Sequence, residues 1–380
     1  MSRSISALLS SAAWEDLTAW LPHDLDALAA KSGGFQRRRA IQSPLEFLRL
    51  ALAYGLLDLS LRSVAAWSAD HGLGQLSDVA VLGRLRRGWP FLEAVFQAML
   101  TRQVAARPVS DLPRRVRLVD ATTLSAPGST GADWRLHASY DLSTGTVDAV
   151  ELTDGRGAEH LGRVPLAKGD LVVADRGYAR EVRIREALEV GADVLVRIGH
   201  RAVPLIDVNG EEFDPMKFAT RRRSRAGRPP RTEGVVVYLR SDSQRARPLR
   251  LVVVRKAAGA TERAQTHINR EAQRRGTQPS ARTLAAARFV FLLTSIPASE
   301  ADETAMAELY RLRWQIELAF KRWKSLLGID QLRADDPNLA RAYIYSKLIG
   351  VVLADTIARQ WRAFSPYGVP LGDRPMARLE

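Results

Sequence analysis

The stretch Asp170-Leu-Val-Val-Ala-Asp175 carries four apolar residues between two aspartates. An apolar run of this length, bounded by polar residues, is typical of a strand buried within a sheet. A helical pattern over residues 180–190 and another apolar strand, Asp193–Ile198, follow it along the chain. Because a strand, a helix and a strand succeed one another here, the sequence predicts a sheet covered by helices.

Upstream of this segment, apolar and polar residues alternate as they do in strands. Val116–Leu124 is a predicted strand, and Trp134–Asp141 and Thr146–Thr153 form a predicted hairpin around a turn that contains Gly145. Downstream, Phe289–Thr294 is a further apolar strand. Together these segments predict an α/β fold built on a mixed sheet.

The sequence predicts helices on both flanks of the sheet. Periodic apolar positions run through residues 1–105, with predicted breaks at Gly33-Gly34, Gly72–Gly74 and Gly88-Trp-Pro90. A long helix is predicted over residues 338–364, and its apolar side chains suit either the core of the chain or a contact between two copies. These side chains are Tyr343, Ile344, Leu348, Val351 and Val352.

Two of the amino-terminal helices, Ser60–Trp67 and Ser77–Arg87, are joined by a turn that contains glycine. Such a unit can place basic side chains of its second helix on DNA. The candidates are Arg84, Arg86 and Arg87. An ordinary helical hairpin with a basic exposed end explains the same pattern equally well, so both interpretations stay open.

The charge balance of the chain favours a polyanionic partner. Lys and Arg number 56 against 42 Asp and Glu, which gives a net charge of +14 and a pI near 10.5. Nucleic acid is therefore favoured over an anionic membrane. The absence of cysteine excludes disulfides, thiolate metal sites and cysteine nucleophiles. Since neither a signal peptide nor an apolar run of about 18 residues occurs, we expect a soluble intracellular protein without membrane contact.

Most of the excess charge lies in one segment of the chain. Residues 195–290 carry 21 Lys or Arg and 8 Asp or Glu, whereas residues 1–110 carry 12 and 9. Three β-rich stretches lie in this basic segment: Ala202–Val208, Val235–Leu239 and Leu249–Arg255. A solvated loop is the usual role of a basic run, but a whole segment of this charge favours a surface for backbone phosphates. The candidate contacts are Arg221, Arg222, Arg223 and Arg225.

Carboxylates are the candidates for chemistry. The chain has no GxxxxGK[ST] loop and no HExxH pair, which argues against phosphate-loop ATP chemistry and against a zinc site. Asp120 lies within a predicted strand and Asp175 ends an apolar one, where a carboxylate is costly unless it is paired or binds a metal. Taken singly, each aspartate is better explained as the start of a turn.

A predicted helix from Glu300 to about Leu327 carries four polar groups on one narrow face. At 100° per residue these groups fall within an arc of about 60°. They are Tyr310, Arg313, Glu317 and Lys324. A row of solvent-facing salt bridges would have the same spacing, but aromatic and aliphatic neighbours indicate a packed helix. A carboxylate between two cations can stay ionised for a metal while the cations bind phosphates.

Three sequence elements together resemble a known family. They are Asp120 in Leu-Val-Asp-Ala-Thr, Asp175-Arg-Gly-Tyr178, and the spacing Tyr310-x2-Arg313-x3-Glu317-x6-Lys324. The last element is similar, without a gap, to the Y-(2)-R-(3)-E-(6)-K signature of bacterial DDE transposases of the insertion-sequence-4 family. The resemblance covers about residues 115–330. It implies an RNase H-like mixed-sheet catalytic domain with a β-rich insertion, preceded by a helical DNA-binding region.

The resemblance also implies roles for the matching residues. The implied catalytic and metal-binding triad is Asp120, Asp175 and Glu317. The implied cofactor is a pair of Mg²⁺ ions, with Mn²⁺ as an alternative, which activate water or a 3′-hydroxyl. The implied contacts to the transferred strand are Tyr310, Arg313 and Lys324. The implied partner is double-stranded DNA, both element ends and target, bound by a homodimer in the bacterial cytoplasm at the nucleoid.

The implied function is cut-and-paste transposition, in which the protein binds the ends of an insertion sequence, cleaves them and joins their 3′ ends to a target. A domesticated metal-dependent nuclease and a catalytically silent DNA-binding repressor are the alternatives. The predicted domains are a helical DNA-binding region (1–110), the first part of the catalytic domain (111–200), the basic β-rich insertion (201–285), the second part of the catalytic domain (286–332) and a carboxy-terminal helical region (333–380).

One position departs from the family pattern. Family members that cut through a DNA hairpin have a tryptophan at the start of the strand before the catalytic helix, and the matching residue here is Val290. Neighbouring residues of a strand point to opposite faces, so neither Phe289 nor Phe291 can replace that tryptophan without a bulge. We therefore expect that hairpin-ended DNA is absent or requires an aromatic side chain outside this strand.

Overall fold

The computed structural model describes residues 9, 11–36, 38–102, 113–221, 231–242, 244 and 246–363. These residues divide into two compact units. The first, called the helical unit, contains the described parts of Met1–Gln103, Leu124–Ala132 and Arg322–Glu380. The second, called the sheet unit, contains the described parts of Val104–Thr123 and Asp133–Lys321. The boundaries of the five predicted domains stay a prediction.

Helices and strands are labelled here in chain order. The helices are α1 (Ser11–Thr18), α2 (Leu25–Ser32), α3 (Pro44–Leu56), α4 (Leu61–Asp70), α5 (Asp78–Thr101), α6 (Glu181–Glu189), α7 (Pro215–Thr220), α8 (Ala258–Arg274), α9 (Ala281–Ala286), α10 (Glu303–Arg311), α11 (Trp314–Leu327) and α12 (Pro337–Ala363). The strands are β1 (Arg115–Leu124), β2 (Trp134–Asp141), β3 (Thr146–Asp154), β4 (Asp170–Ala174), β5 (Asp193–Ile198), β6 (Leu205–Ile206), β7 (Thr232–Leu239), β8 (Leu249–Arg255) and β9 (Phe289–Thr294).

In the part of the chain that the structure describes, the nine strands form one sheet in the order β3-β2-β1-β4-β5-β9-β8-β7-β6. The central strands β1, β4 and β5 are parallel, whereas β9, β8, β7 and β6 continue the sheet antiparallel to one another. This mixed sheet with its helices confirms the predicted α/β class. Strands of the basic insertion therefore extend the central sheet, and the predicted stretch Ala202–Val208 is a strand only over β6.

The carboxy-terminal helix α12 forms the core of the helical unit together with α3 and α5. The five apolar residues considered as a contact between two copies are all buried within this unit. They are Tyr343, Ile344, Leu348, Val351 and Val352. Their burial supports the core interpretation, and the interpretation as a surface between two copies is wrong.

The break predicted at Gly88-Trp-Pro90 does not occur: helix α5 continues through these three residues. The ring of Phe47 packs onto Gly88, where a Cβ atom would lie 2.1 Å from the ring. Buried side chains on both sides of Pro90, such as Leu85 and Phe91, hold the helix in the core. The packing of these side chains thus offsets the loss of the backbone hydrogen bond that proline removes from a helix.

The predicted helix from Glu300 to Leu327 is two helices, α10 and α11, separated at Leu312-Arg313. Across this junction the backbone makes bonds between residues three apart, as in the bond from the Arg313 N–H to the Tyr310 carbonyl at 3.1 Å. The tighter turn interrupts the regular helical spacing. The single 60° arc predicted for the four polar groups therefore does not describe the structure.

No helix among the described residues is both long enough and apolar enough to cross a membrane.

Candidate active site

Asp120 and Asp175 lie side by side on the two central parallel strands. In the pairing of β1 with β4, Val119 lies opposite Ala174, and each aspartate is the next residue along its own strand. Both carboxylates therefore lie at the carboxyl end of the β1–β4 pairing. The two aspartates that were singled out 55 positions apart in the sequence are brought together by strand register.

Hydrogen bonds from the backbone orient these two carboxylates. Asp120 accepts from the N–H of Ala121 at 2.8 Å, and Asp175 accepts from the N–H of Arg176 at 2.6 Å. The guanidinium of Arg197 on β5 lies 3.5 Å from Asp175. Asp175 therefore begins a turn, which is the structural role that the sequence alone favoured for it, and it also faces a cation.

Residues on both sides of the α10–α11 junction connect these aspartates to Glu317. The Tyr310 hydroxyl donates to Oδ1 of Asp175 at 3.2 Å. Arg313 donates from Nη1 to Oδ2 of Asp120 at 3.0 Å, and it also pairs with Glu317 in the first turn of α11. The Arg313 side chain is 14% exposed, whereas that of Glu317 is 53% exposed. The structure thus collects Asp120, Asp175, Glu317, Tyr310 and Arg313 at one place.

Burial and charge set the protonation of this site. Burial raises the pKa of Asp120 to about 6, and the charges of Glu317 and Asp175 act in the same direction, while the Ala121 N–H and Arg313 oppose them. Burial, followed by the charge of Asp175, raises the pKa of Tyr310. The pKa of Arg313 is raised above its ordinary value. Burial alone would lower this pKa, but the hydrogen bond to Glu317 and the nearby negative charges raise it by more. Tyr310 is therefore a neutral donor and Arg313 a permanent cation.

Three carboxylates are the oxygen donors that a hard divalent cation prefers, so the donor chemistry of Asp120, Asp175 and Glu317 fits such an ion. Arg313 bonds to both Asp120 and Glu317, and the register of β1 and β4 places Asp175 beside Asp120. Arg313 binds two of them, and in the described ranges no three acidic or histidine side chains are arranged to hold an ion. Arg313 therefore occupies one oxygen of Asp120 and one oxygen of Glu317.

A cavity of about 410 Å³, here called the cationic cavity, adjoins the carboxylates. Tyr310 and Arg313 line it and also bind the two aspartates. Its other basic lining residues are Arg197, Arg231, Arg255, Lys256 and Arg311. Burial and the charge of Arg197 lower the pKa of Lys256, as expected where cations are crowded. Such a cavity suits the phosphates of a polyanion.

The register predicted around Val290 is confirmed. Phe289 and Phe291 are buried in the core of the sheet unit, whereas Val290 lines the cationic cavity. Trp314, the first residue of α11, lines the same cavity and is 42% exposed. An aromatic side chain outside β9 therefore lines the same cavity as Val290, and the expectation about hairpin-ended DNA stays a prediction.

Four further sequence candidates belong to the helical unit. Lys324 is half-buried in the part of α11 that belongs to the helical unit. Arg84 and Arg87 line a cleft of about 790 Å³ in that unit together with Arg39. Burial lowers the pKa of Arg84, and the charges of Arg87 and Arg39 lower it further. Arg86 instead pairs with Asp336.

The basic run of the insertion is described only at its first residue. Arg221 lies over the ring of Phe218, 3.6 Å from its centre, and pairs with Glu233 at 2.9 Å. The other three candidates, Arg222, Arg223 and Arg225, lie outside the described residues.

Sequence reasoning missed several residues of the cationic cavity. Arg197 is the one charged residue between apolar residues in β5, and a charge at such a position could have marked it as a candidate functional residue. Arg255, Lys256 and Arg311 carried no comparable signal, because basic residues are frequent throughout this part of the chain. Only the sheet and the α10–α11 junction bring them together.

Comparison with known proteins agrees with this site. Residues 111–353 match the family described as Transposase DDE domain, and the chain belongs to this family of insertion-sequence transposases. The chain is 38% identical over 360 residues to the transposase for insertion sequence element IS421 of Escherichia coli, covering 93% of this chain and 96% of that one. It is also 38% identical, over 359 residues that cover 93% of this chain and 96% of the other, to InsL for insertion sequence element IS186A of Escherichia coli K12. The transposase for insertion sequence element IS231F of Bacillus thuringiensis subsp. israelensis is 26% identical over 304 residues, or 70% of this chain and 62% of that protein. Membership of the family implies a divalent metal and DNA as a partner.

Proposed function

We propose that this chain binds the ends of its insertion sequence, cleaves DNA strands by metal-dependent hydrolysis and joins the 3′ ends to target DNA. The main support is the position of Asp120, Asp175 and Glu317 beside the cationic cavity. Carboxylates suit a divalent cation, and the cations of the cavity suit the DNA backbone. A metal-dependent displacement at phosphorus needs both kinds of group together.

Asp120, Asp175 and Glu317 are the residues that would hold two Mg²⁺ ions, with Mn²⁺ as an alternative. When bound, such ions stabilise the attacking and leaving oxygens of an in-line displacement. Hydrolysis at an element end and joining to a target are then the same displacement, with water and a 3′-hydroxyl as the respective nucleophiles.

The chain's own residues position the carboxylates and the DNA strand. The neutral Tyr310 hydroxyl donates to Asp175 and fixes the direction of its carboxylate. Arg313 stays charged, and its planar guanidinium can exchange a carboxylate for a phosphate in the same geometry. Lys324 is assigned to the transferred strand by its place in the matching motif.

Further DNA contacts are proposed outside the catalytic carboxylates. The amino-terminal region 1–110 would bind the element ends, with Arg84 and Arg87 acting from the cleft that they share with Arg39. The insertion 201–285 would contact backbone phosphates through its basic run. A homodimer is proposed because two element ends must be joined in one reaction.

The experiment uses purified protein and duplex DNA that carries the natural sequence flanking the gene. We expect Asp120→Asn, Asp175→Asn and Glu317→Gln each to lower Mg²⁺-dependent strand cleavage by at least a hundredfold. We expect the affinity for the duplex to change less than threefold, since phosphate contacts lie elsewhere. Arg185→Gln, on α6, serves as the control and should cut like the wild type. Undiminished cleavage by any of the three carboxylate variants would remove that residue from the triad.

A further inference from the structure

Helix α8 was not expected from the sequence, and it is packed along one side only. None of its side chains is fully buried. Half-buried alanines such as Ala260 and Ala264 form the inner row, and the side chain of Gln265 donates to the carbonyl of Leu284 at 3.1 Å. The helix is thus fixed to the sheet unit, while its remaining surface faces outward.

Basic side chains occupy one edge of this outward surface. Arg263, Arg270 and Arg274 are here called the cationic row, and these three residues and His267, which lies among them, are all exposed. Their offsets of 4, 7 and 11 residues place them within an arc of about 60° along a length of about 16 Å. A row of this kind presents several cations in one line.

The acidic residues of α8 do not cancel this row. Glu262 precedes Arg263 and points about 100° away from it around the helix. Glu271 lies 3.0 Å from Arg274 and 3.7 Å from Arg275, so its single charge is shared between two cations. The cationic row therefore keeps a net positive charge.

The cationic row begins where the cationic cavity ends. Ala257 and Ala260, at the start of α8, line the cavity, and so do Arg255 and Lys256, which come directly before the helix. Positive charge therefore continues along the chain from the side of the catalytic carboxylates to the outer end of α8. All of these residues belong to the sheet unit.

We propose that the cationic row binds the phosphate backbone of the DNA duplex next to the phosphate that is cut. This inference rests on the proposed function, because it assumes that a strand occupies the cationic cavity. A duplex carries one phosphate charge per about 1.7 Å of its axis, so a row of about 16 Å faces several phosphates at once. Guanidinium groups suit phosphate oxygens, and contacts to phosphate do not depend on base sequence.

The test replaces Arg263, Arg270 and Arg274 together by Gln, which keeps helix propensity and removes three charges. The matched control is the triple variant Arg156→Gln, Arg180→Gln and Arg240→Gln, since these residues are exposed and neither line the cavity nor lie on α8. Fluorescence anisotropy with a labelled duplex of arbitrary sequence, repeated over a range of salt, gives the slope of log affinity against log salt. A second duplex carries the natural flank of the gene.

The triple variant of Arg263, Arg270 and Arg274 is called the row variant. We expect its slope of log affinity against log salt to be smaller by about 0.9 for each phosphate contact removed, or by about 2.7 in all, on both duplexes. The control variant should keep the slope of the wild type. Equal slopes for row variant and wild type, or an equal decrease in both triple variants, would overturn the proposal. A loss confined to the natural flank would also overturn it, because it would indicate base recognition.

The same preparations separate this inference from the proposed function. If the row variant binds like the wild type while the wild type cuts DNA and Glu317→Gln does not, the cationic row is wrong and the proposed function stands. If the wild type neither binds nor cuts either duplex, both are wrong. Circular dichroism melting of each variant establishes that the fold is kept.

Discussion

The guanidinium of Arg313 binds two of the three candidate carboxylates at once. It lies at the junction between α10 and α11, so it joins the strand that carries Asp120 to the helix that carries Glu317. The motif spacing correctly indicated that Arg313 and Glu317 are neighbours. It could not indicate the bond to Asp120, which lies 193 positions away in the sequence.

A different buried residue makes the stability of the sheet unit depend on pH. His137 on β2 is 1% exposed, and its Nε2 lies 3.1 Å from the hydroxyl of Thr153. Burial lowers its pKa to about 4, and the charges of Arg163 and Arg135 act in the same direction. Between the ordinary value of 6.5 and about 4, the unfolded chain therefore binds a proton that the folded chain does not.

Stability should consequently fall as the pH falls through this window. We expect the free energy of unfolding of the wild type to drop by about 2 kcal/mol more than that of His137→Gln between pH 7 and pH 4.5. Gln keeps a polar group near Thr153 but does not titrate. Urea unfolding of both proteins at the two pH values measures this difference. Parallel loss of stability in both proteins would show that His137 is not responsible.

At the scale of elements, two glycines of α5 make different demands on the helix. A Cβ atom at position 88 would lie 2.1 Å from the ring of Phe47 in the core, whereas at position 83 it would lie 3.2 Å from the flexible end of Arg87. Overpacking of a core costs about 1–3 kcal/mol, and replacing a helical glycine by alanine gains about 1 kcal/mol.

We therefore expect Gly88→Ala to lower the free energy of unfolding by up to about 2 kcal/mol and Gly83→Ala to raise it by up to about 1 kcal/mol. Each is the control for the other, since both make the same change within one helix. Chemical denaturation measured by circular dichroism distinguishes them. Stabilisation by both substitutions would mean that Phe47 moves aside without cost.

Elements were predictable from sequence where burial imposes a pattern. Strands β1, β4, β5 and β9 were predicted within one residue of their bounds, because buried strands are apolar or alternate regularly. Helix α8 was missed, because its inner row consists mostly of alanine, a weak apolar signal, and none of its side chains is fully buried. The junction at Leu312-Arg313 was also missed, since neither Gly nor Pro marks it.

The candidate site was predictable as a set of residues but not as a set of contacts. The carboxylates, Tyr310 and Arg313 were identified from strand ends and from the family motif, and they meet in the structure. The cationic cavity was not foreseen, because its residues come from β5, β8, β9 and the α10–α11 junction. Only strand order brings those elements together.

For the whole molecule, the position of the basic residues in the fold suggests why the chain carries a net positive charge. In the described part of residues 195–290, basic residues lie on strands β5 and β8, on helices α7, α8 and α9, and in the loops between these elements. In the described part of this segment, cations line the cavity beside the carboxylates and one edge of α8. We infer that the basic segment serves to bind the substrate of the carboxylates beside it.

We expect Asp120, Asp175 and Glu317 to act as one unit in strand cleavage. The most direct measurement compares single-turnover cleavage by Asp120→Asn, Glu317→Gln and the double variant on duplex DNA with the natural flank of the gene. Residues that act as a unit are strongly non-additive, so the double variant should cut no more slowly than the slower single variant. Cleavage by Glu317→Gln within tenfold of the wild type, or single losses that multiply in the double variant, would show that the three carboxylates do not act as one unit.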